Sequence, residues 1–395
     1  MTKIGLIGHG SRQWIAGVQY QQSLLAGNQL LEPTHRAQFD VFLHRYYHSE
    51  ADYAEVEHAI GSIQSFDFYY GKPHPFLYQC YQSIQRAKQG RWQWPQDLLR
   101  QMLLKTETEV IFPANELLIK NSPVRQICWM PDFQHLHFPE YFTKRVITYR
   151  NANLAKAARL AQRVVVSNEL SRDDAVRVVP EVKSKIEVLP FTMWLGEDWL
   201  KPDCREWVRK YGLPKKFLIF PSQWWVHKNH RILFEAIGLV KRAGLEDIAL
   251  VSTGWPADPR YPRYAKSLRT EIQRQNIKSN FHELGLLPRA DQVQLMRAAC
   301  AIVQPSRFEG WSALMEESRA LGKFVFASDI PMHHQHTSTQ TVYFHPDSAR
   351  ELAALIMEWW PQLPSGPDLA KENAASLAST AHLKKFTQHF ISLCQ

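Results

Sequence analysis

Residues 301–317, AIVQPSRFEGWSALMEE, carry the most informative pattern in the sequence. The apolar run up to Pro305 predicts a strand, and SALMEESRAL predicts a helix with Ser312 near its N-cap. The loop SRFEG therefore joins the carboxyl end of a strand to a helix N-terminus, where open α/β sheets bind ligands. Backbone N–H groups at a helix start favour anions. We therefore predict an anion site at Gly310, Trp311, Ser312 and Ala313.

Glu317 lies on this predicted helix among apolar neighbours, since positions 313, 314, 320 and 321 are Ala, Leu, Ala and Leu. A buried carboxylate needs a partner. The partner is either internal, such as a buried Arg or Lys, or the hydroxyl groups of a polyhydroxylated ligand. Glu309 is likewise a surface or capping carboxylate, or a second contact to that ligand. A glycosidase pair is disfavoured, because eight helical residues span about 12 Å and glycosidase carboxylates lie roughly 5 to 9.5 Å apart.

Strand and helix patterns alternate along the whole chain. KIGLIG at 3–8 predicts a strand, and a glycine loop and a helical pattern follow it. Further strands are predicted at 39–44, 108–112, 126–129, 163–167 and 185–189, and after a connection at 190–203, also at 217–220, 248–254, 280–285, 300–306 and 324–329. This alternation predicts an α/β fold with two parallel-sheet domains, residues 1–193 and 194–375.

The composition narrows the functional classes. A chain of 395 residues, 45% hydrophobic, is long enough for two domains. Its five cysteines form no CxxC or Cys/His cluster, which predicts no disulfide framework, no zinc site and a cytoplasmic location. The net charge of +9 is spread over both halves, so we expect phosphate-bearing substrates or solvated faces rather than nucleic acid. We expect neither a signal peptide nor a membrane span.

The glycine loop at the N-terminus has an alternative interpretation as a dinucleotide site. Its glycines run G-x-x-G-x-G in GLIGHG, however, and not G-x-G-x-x-G. The first acidic candidates after it, Glu32 and Asp40, give poor support. An NAD enzyme is therefore disfavoured.

Four motifs occur in an order that resembles the retaining nucleotide-sugar glycosyltransferases of family 4, which have the GT-B fold. They are PSRFEGWSALMEESRALGKFVFASD at 305–329, FPSQWWVHKNHRILFEA at 220–236, LVSTGWPAD with the later ELGLLP, and WMPDFQHLHFPEYF at 129–142. The resemblance implies two Rossmann-like domains facing each other across a cleft, with a C-terminal helix at about 376–395 returning to the first. It implies transfer of a sugar from a UDP- or GDP-sugar to a hydroxyl of a glycan or lipid-linked acceptor, as in polysaccharide biosynthesis, without an essential metal or other cofactor.

The resemblance also implies roles for single residues of the donor site. Glu317 would hold the ribose hydroxyls, Glu309 would contact the donor sugar, and Lys228 would neutralise the diphosphate together with the N–H groups of residues 310–313. Gly17 would let its loop approach the donor phosphates and the acceptor. Gln223 stands where many relatives have an Arg, so one cationic phosphate contact is in doubt.

On the acceptor side the sequence departs from the family pattern again. Pro131 stands before Asp132 where many relatives have a His. His135 and His137 are then the candidates for contacting the transferred sugar, and His135 is preferred. The implied catalytic set is therefore His135, Lys228 and Glu309.

Other classes of protein remain open. A nucleotide-sugar epimerase on the same fold would need no acceptor, and a catalytically degenerate protein would bind the sugar nucleotide without turning it over. Residues 86–105, with basic side chains beside Trp92 and Trp94, fit either a peripheral contact at the inner membrane face or a helix packed on the sheet. Residues 190–203 and 365–380 are the expected hinges for domain closure.

Overall fold

The computed structural model describes residues 1–10, 15–44, 48–66, 95–200, 203–336 and 340–395. The chain divides into two compact units: an N-terminal unit, Met1–Phe191 with Leu383–Gln395, and a C-terminal unit, Thr192–His382. The second boundary between the units, after His382, falls inside one long helix, Leu369–Cys394. The domain boundaries predicted from sequence stood at 193/194 and near 376.

The N-terminal unit contains a parallel sheet whose described strands have the order β3-β2-β1-β4-β5-β6-β7. The strands are β1 Lys3–Ile7, β2 Gln38–His44, β3 Ser62–Phe66, β4 Val110–Phe112, β5 Arg125–Trp129, β6 Arg163–Val166 and β7 Ile186–Val188. Its described helices are Ala16–Gln29, Pro95–Lys105, Gln134–His137, Lys144–Leu160 and Glu169–Val178, with the end of Leu369–Cys394. The central strands β1 and β4 are mostly apolar, as expected of a parallel sheet with helices on both faces.

The C-terminal unit contains a second parallel sheet, with the described order β10-β9-β8-β11-β12-β13. The strands are β8 Leu218–Pro221, β9 Leu250–Thr253, β10 Phe281–Gly285, β11 Ala301–Gln304, β12 Val325–Ser328 and β13 Thr341–Phe344. Its described helices are Glu197–Leu200, Arg205–Lys210, His230–Arg242, Tyr264–Arg274, Arg289–Ala298, Ala313–Ala320 and Ala349–Trp359, with the start of Leu369–Cys394. The predicted α/β fold with two parallel sheets is confirmed.

The sequence patterns missed two strands, β3 and β13, and both are edge strands. Their side chains are mostly half-buried, whereas β11 and β12 are buried at every position. An edge strand pairs on one side only, so it needs fewer apolar residues and gives a weaker signal.

The end of the long C-terminal helix belongs to the core of the N-terminal unit. The Phe390 ring lies 4.8 Å from that of Phe112, and the Phe386 ring lies 5.3 Å from that of Tyr20. These rings bury large apolar area and so hold the helix end in place.

The predictions for residues 86–105 and for membrane spans can be compared with the described part of the chain. Residues 86–94, with Trp92 and Trp94, lie outside the described residues. The helix that follows buries Leu99 and Leu103 completely, as expected of a helix packed on the sheet. Among the described helices, none combines the length and the hydropathy needed to cross a bilayer.

Candidate active site

A group of hydrogen-bonded polar side chains in the C-terminal unit lies at the end of β11 and in the loop after it. The ammonium of Lys228 donates to both carboxylate oxygens of Glu309, at 2.7 and 3.0 Å. Gln304, the last residue of β11, donates from Nε2 to Glu309 at 2.9 Å and to the Ser312 hydroxyl at 3.0 Å. The Glu309 side chain is 9% exposed and that of Lys228 is 17% exposed. The fold thus brings together Lys228, Glu309 and Ser312, which the sequence analysis had singled out.

Lys228 is held by a short turn, Val226–Lys228, that follows β8. Asn229 ends the turn in the left-handed conformation, and its side chain donates to the carbonyls of Pro305 and Pro346. Asn tolerates this conformation better than most residues. The turn is therefore fixed directly to the loop that carries Glu309.

The two histidines that flank Lys228 are not competing cations. Burial, together with the smaller effect of the Lys228 charge, lowers the pKa of His227 well below its usual value and that of His230 to about 3. Both imidazoles are therefore neutral at physiological pH, and Lys228 supplies the positive charge of the turn.

The helix Ala313–Ala320 begins as the sequence predicted. Ser312 is its N-cap, and the Ser312 hydroxyl accepts from the N–H of Met315. Ser312 has a φ of 78°, an uncommon conformation for a residue with a side chain, and such strain is often found at functional sites. The first N–H groups of a helix have no intrahelical acceptor and carry its positive partial charge. Lys228, Glu309 and the helix start therefore lie at one edge of the sheet.

Glu317 lies on the buried side of this helix, as predicted, and is 4% exposed. One of its carboxylate oxygens, Oε1, accepts a hydrogen bond from Nη2 of Arg289 at 2.6 Å. Arg289 begins the helix Arg289–Ala298 after β10. Of the two kinds of partner that the sequence left open, the structure shows an internal one, an arginine that no local pattern connects with Glu317.

Glu316 is also buried, which the helical pattern had not indicated. It pairs with Arg319 one turn later, and Nδ1 of His336 lies 2.9 Å from its Oε1. Burial raises the pKa of Glu316, but His336 and Arg319 outweigh this effect, and the pKa is lowered. His336 also hydrogen-bonds the carbonyl of Trp311, and so ties the Glu309 loop to the helix. The i,i+3 spacing of Glu316 and Arg319 was the one signal available in the sequence.

In the N-terminal unit, Asp132, His135 and His137 lie around the short helix Gln134–His137, after β5. His135 is buried, and its Nε2 lies 2.9 Å from Oδ1 of Asn151. Burial lowers the pKa of His135, so the ring is neutral near pH 7. The His137 side chain is 43% exposed, and its Nε2 lies 2.6 Å from Oδ2 of Asp174.

Asp132 faces a cation of its own. Arg150 donates to the carbonyl of Asp132 at 2.8 Å and also to its carboxylate. Burial raises the pKa of Asp132, but the charge of Arg150 and the hydrogen bonds from Arg150 and Gln134 outweigh it and lower the pKa. Asp132 is therefore an ionised, paired group that shapes the loop carrying His135.

Gly17 lies in the first turn of the helix Ala16–Gln29. A Cβ at this position would lie 2.8 Å from the carbonyl oxygen of His9 and 2.9 Å from the nitrogen of Gly10. The missing side chain thus allows the helix start to contact the backbone of the glycine loop. Residues 11–14 of this loop lie outside the described residues.

The motif FPSQWWVHK divides its two tryptophans between different roles. Trp224 is 1% exposed and packs against Phe234 and Phe281 in the core. Trp225 stacks with the guanidinium of Arg260, which forms an ion pair with Asp258. Asp258 also accepts from the N–H of Val226, so this pair supports the Lys228 turn.

Residues 204–371 match the family model described as glycosyl transferases group 1. The matched range contains the Lys228–Glu309 pair and Glu317. Among curated protein sequences, none shows significant similarity to the chain.

Solved structures of glycosyltransferases have a fold similar to that of this chain. HepE of Anabaena, in a complex with UDP-glucose, has a TM-score of 0.70 and 16% identity, over 99% of each chain. A glycosyltransferase of Rickettsia africae has a TM-score of 0.65 and 15% identity, over 99% of this chain and 97% of its own. Sucrose-phosphate synthase of Thermosynechococcus elongatus has a TM-score of 0.65 and 12% identity, over 100% and 96%. The predicted GT-B architecture is confirmed.

Proposed function

We propose that this chain is a hexosyltransferase that moves a sugar from a UDP-sugar to a hydroxyl of a glycan or lipid-linked acceptor. We further propose that the anomeric configuration is retained and that no metal is needed. The observation that carries the proposal is the half-buried Lys228–Glu309 pair beside the start of the helix Ala313–Ala320. The complex of HepE with UDP-glucose, on the same fold, favours UDP as the nucleotide.

The charges of this site suit a nucleotide diphosphate sugar. The ammonium of Lys228 is a compact charge that can neutralise a phosphate. The helix start adds partial positive charge and N–H donors. Together they would stabilise the negative charge that grows on the leaving diphosphate, which is the main electrostatic contribution to this kind of transfer. In this proposal Glu317 accepts the ribose hydroxyls and Glu309 accepts hydroxyls of the donor sugar.

The Lys228–Glu309 contact links binding of the diphosphate by Lys228 with binding of the donor sugar by Glu309. Lys228 forms both its side-chain hydrogen bonds with Glu309. A bound diphosphate must therefore share or replace this contact, and Glu309 is then left with acceptor capacity for sugar hydroxyls. Donor binding would thus prepare Glu309 for the sugar.

In the N-terminal unit, His135 keeps the role that the family resemblance implies, contact with the transferred sugar. A neutral imidazole suits a hydrogen bond with a hydroxyl, and burial keeps His135 neutral. Asp132 and His137 are proposed to support the acceptor side, through their contacts with Arg150 and Asp174.

The proposal is tested by incubating the protein with UDP-glucose, UDP-galactose, UDP-N-acetylglucosamine and GDP-mannose, with and without EDTA. We expect one UDP-sugar to release UDP in the presence of glycan or lipid-linked acceptors, at the same rate with EDTA. Lys228→Met should abolish the release. In a thermal-shift assay, UDP should raise the melting temperature of the wild type but not of Glu317→Ala.

Three results would count against the proposal. A changed sugar without UDP release would indicate an epimerase. Stabilisation by UDP without any turnover would indicate a degenerate binding protein. Loss of activity with EDTA and its recovery with magnesium would contradict metal independence.

A further inference from the structure

The ion pair between Arg289 and Glu317 connects the start of the helix Arg289–Ala298 with the helix Ala313–Ala320. Arg289 follows β10, and Glu317 lies on the helix after β11. The side chains are 17% and 5% exposed. Both charges are therefore largely removed from water, and each depends on the other for a counter-charge.

A second buried ion pair in the same unit, Arg297–Glu372, has hydrogen bonds to both carboxylate oxygens and serves as a comparison. Arg297 donates to both carboxylate oxygens of Glu372, at 2.7 and 2.9 Å, and from Nη1 to Gln294 at 2.9 Å. This bidentate geometry is among the strongest that an arginine forms with a carboxylate. The pair connects the helix Arg289–Ala298 with the long C-terminal helix, and its role is structural.

The Arg289–Glu317 pair has fewer hydrogen bonds than the Arg297–Glu372 pair. Arg289 reaches only Oε1 of Glu317, and its own Nη1 is buried without an acceptor among the described residues. A buried donor without an acceptor is unfavourable, so the geometry is not the one that stability alone would select.

Oε2 of Glu317 is the group that this geometry leaves available. Within the described part of the chain no donor reaches it, and it is not among the fully buried atoms that lack a partner. A carboxylate fixed through one oxygen presents the other in a defined direction. Such an oxygen can accept the hydroxyl hydrogens of a vicinal diol.

We infer that Arg289 is a positioning residue for nucleotide recognition: it fixes Glu317 through Oε1 and directs Oε2 at the ribose hydroxyls. This inference rests on the proposed function, since it requires a ribonucleotide at this site. Arg289 acts through Glu317 and has no contact of its own with the donor in this scheme. Its effect should therefore be confined to the hydroxyls that Glu317 contacts.

The test compares UDP with 2′-deoxy-UDP by isothermal titration calorimetry. We expect wild-type protein to bind UDP about tenfold more tightly, since a hydrogen bond to a charged group has roughly this effect. Arg289→Met should reduce the preference to about twofold or less. Arg289→Lys, which keeps the charge, should give an intermediate ratio, and it also serves if the methionine variant does not fold.

The matched control is Arg274→Met, which removes an arginine from a different pair on the same unit. Glu271, its partner, keeps Arg231 and Gln275 as donors. This variant should keep the wild-type preference for UDP.

Three results would overturn the inference in different ways. If Arg289→Met weakens both nucleotides equally and the preference persists, Arg289 is only structural and the proposed donor stands. If wild-type protein binds UDP without preference over 2′-deoxy-UDP, Glu317 does not recognise the 2′-hydroxyl and the inference fails. A wild type that binds neither nucleotide refutes the UDP donor and this inference together.

Discussion

The substitution Glu309→Gln should separate nucleotide affinity from sugar transfer. Glu309 and Lys228 are 2.7 Å apart and largely buried. At an effective dielectric constant of about 20, such a pair attracts with about 6 kcal/mol before desolvation is counted. Lys228 is therefore strongly engaged by Glu309, and any diphosphate has to compete for it.

The size of the effect follows from the repulsion that the substitution removes. A phosphate oxygen on the other side of the ammonium would lie about 5 Å from Glu309, where two negative charges repel with about 3 kcal/mol. Solvent around the partly exposed Lys228 reduces this to roughly half. Glu309→Gln should therefore bind UDP about tenfold more tightly, because about 1.4 kcal/mol corresponds to a factor of ten. Sugar transfer should slow by about 100-fold or more, as for other residues that stabilise the reacting group.

The assay is calorimetric titration with UDP and UMP, together with the rate of UDP release from the UDP-sugar. UMP lacks the second phosphate, so its affinity should change little. Lys228→Met should weaken UDP and leave UMP nearly unchanged. Glu271→Gln, which neutralises another buried carboxylate of this unit, is the control. If Glu309→Gln weakens UDP, or changes UMP as much as UDP, the competition for Lys228 does not exist.

Two other variants give independent tests. Asp291 accepts hydrogen bonds from Trp207, Lys210 and Tyr211. Asp291→Asn should therefore destabilise the C-terminal unit by about 3 kcal/mol. The control is Asp203→Asn, in an exposed ion pair, which should have little effect on the thermal midpoint. Burial raises the pKa of Asp291, but the hydrogen bonds from its three donors outweigh this effect, and the pKa is lowered. The stabilisation by Asp291 is therefore complete above the unfolded pKa of about 3.9 and is lost as the pH falls further. A difference in stability between variant and wild type that persists in strong acid would contradict this prediction. His135→Asn should slow sugar transfer at least tenfold with an unchanged dissociation constant for UDP, and a rate equal to wild type would remove His135 from the catalytic set.

The sequence was sufficient for the features that have a strong local periodicity. Apolar runs predicted the central strands, and the Ser312 cap with its apolar stripe predicted both the start of the helix and the burial of Glu317. These features repeat every two or 3.6 residues, so they can be read from neighbours in the chain. The edge strands β3 and β13 were missed because half-buried positions weaken that pattern.

Only the tertiary structure could decide which charges meet. Lys228 and Glu309 are 81 residues apart, and Arg289 and Glu317 are 28 apart. The Lys228–Glu309 contact depends on the strand order, which places β8 next to β11 and brings their loops to one edge of the sheet. The Arg289–Glu317 contact depends on the packing of the helices that carry the two residues. The sequence thus determined that Glu317 is buried and needs a partner. The strand order and the packing of helices determined that this partner is Arg289, because side-chain contacts between distant segments have no local period.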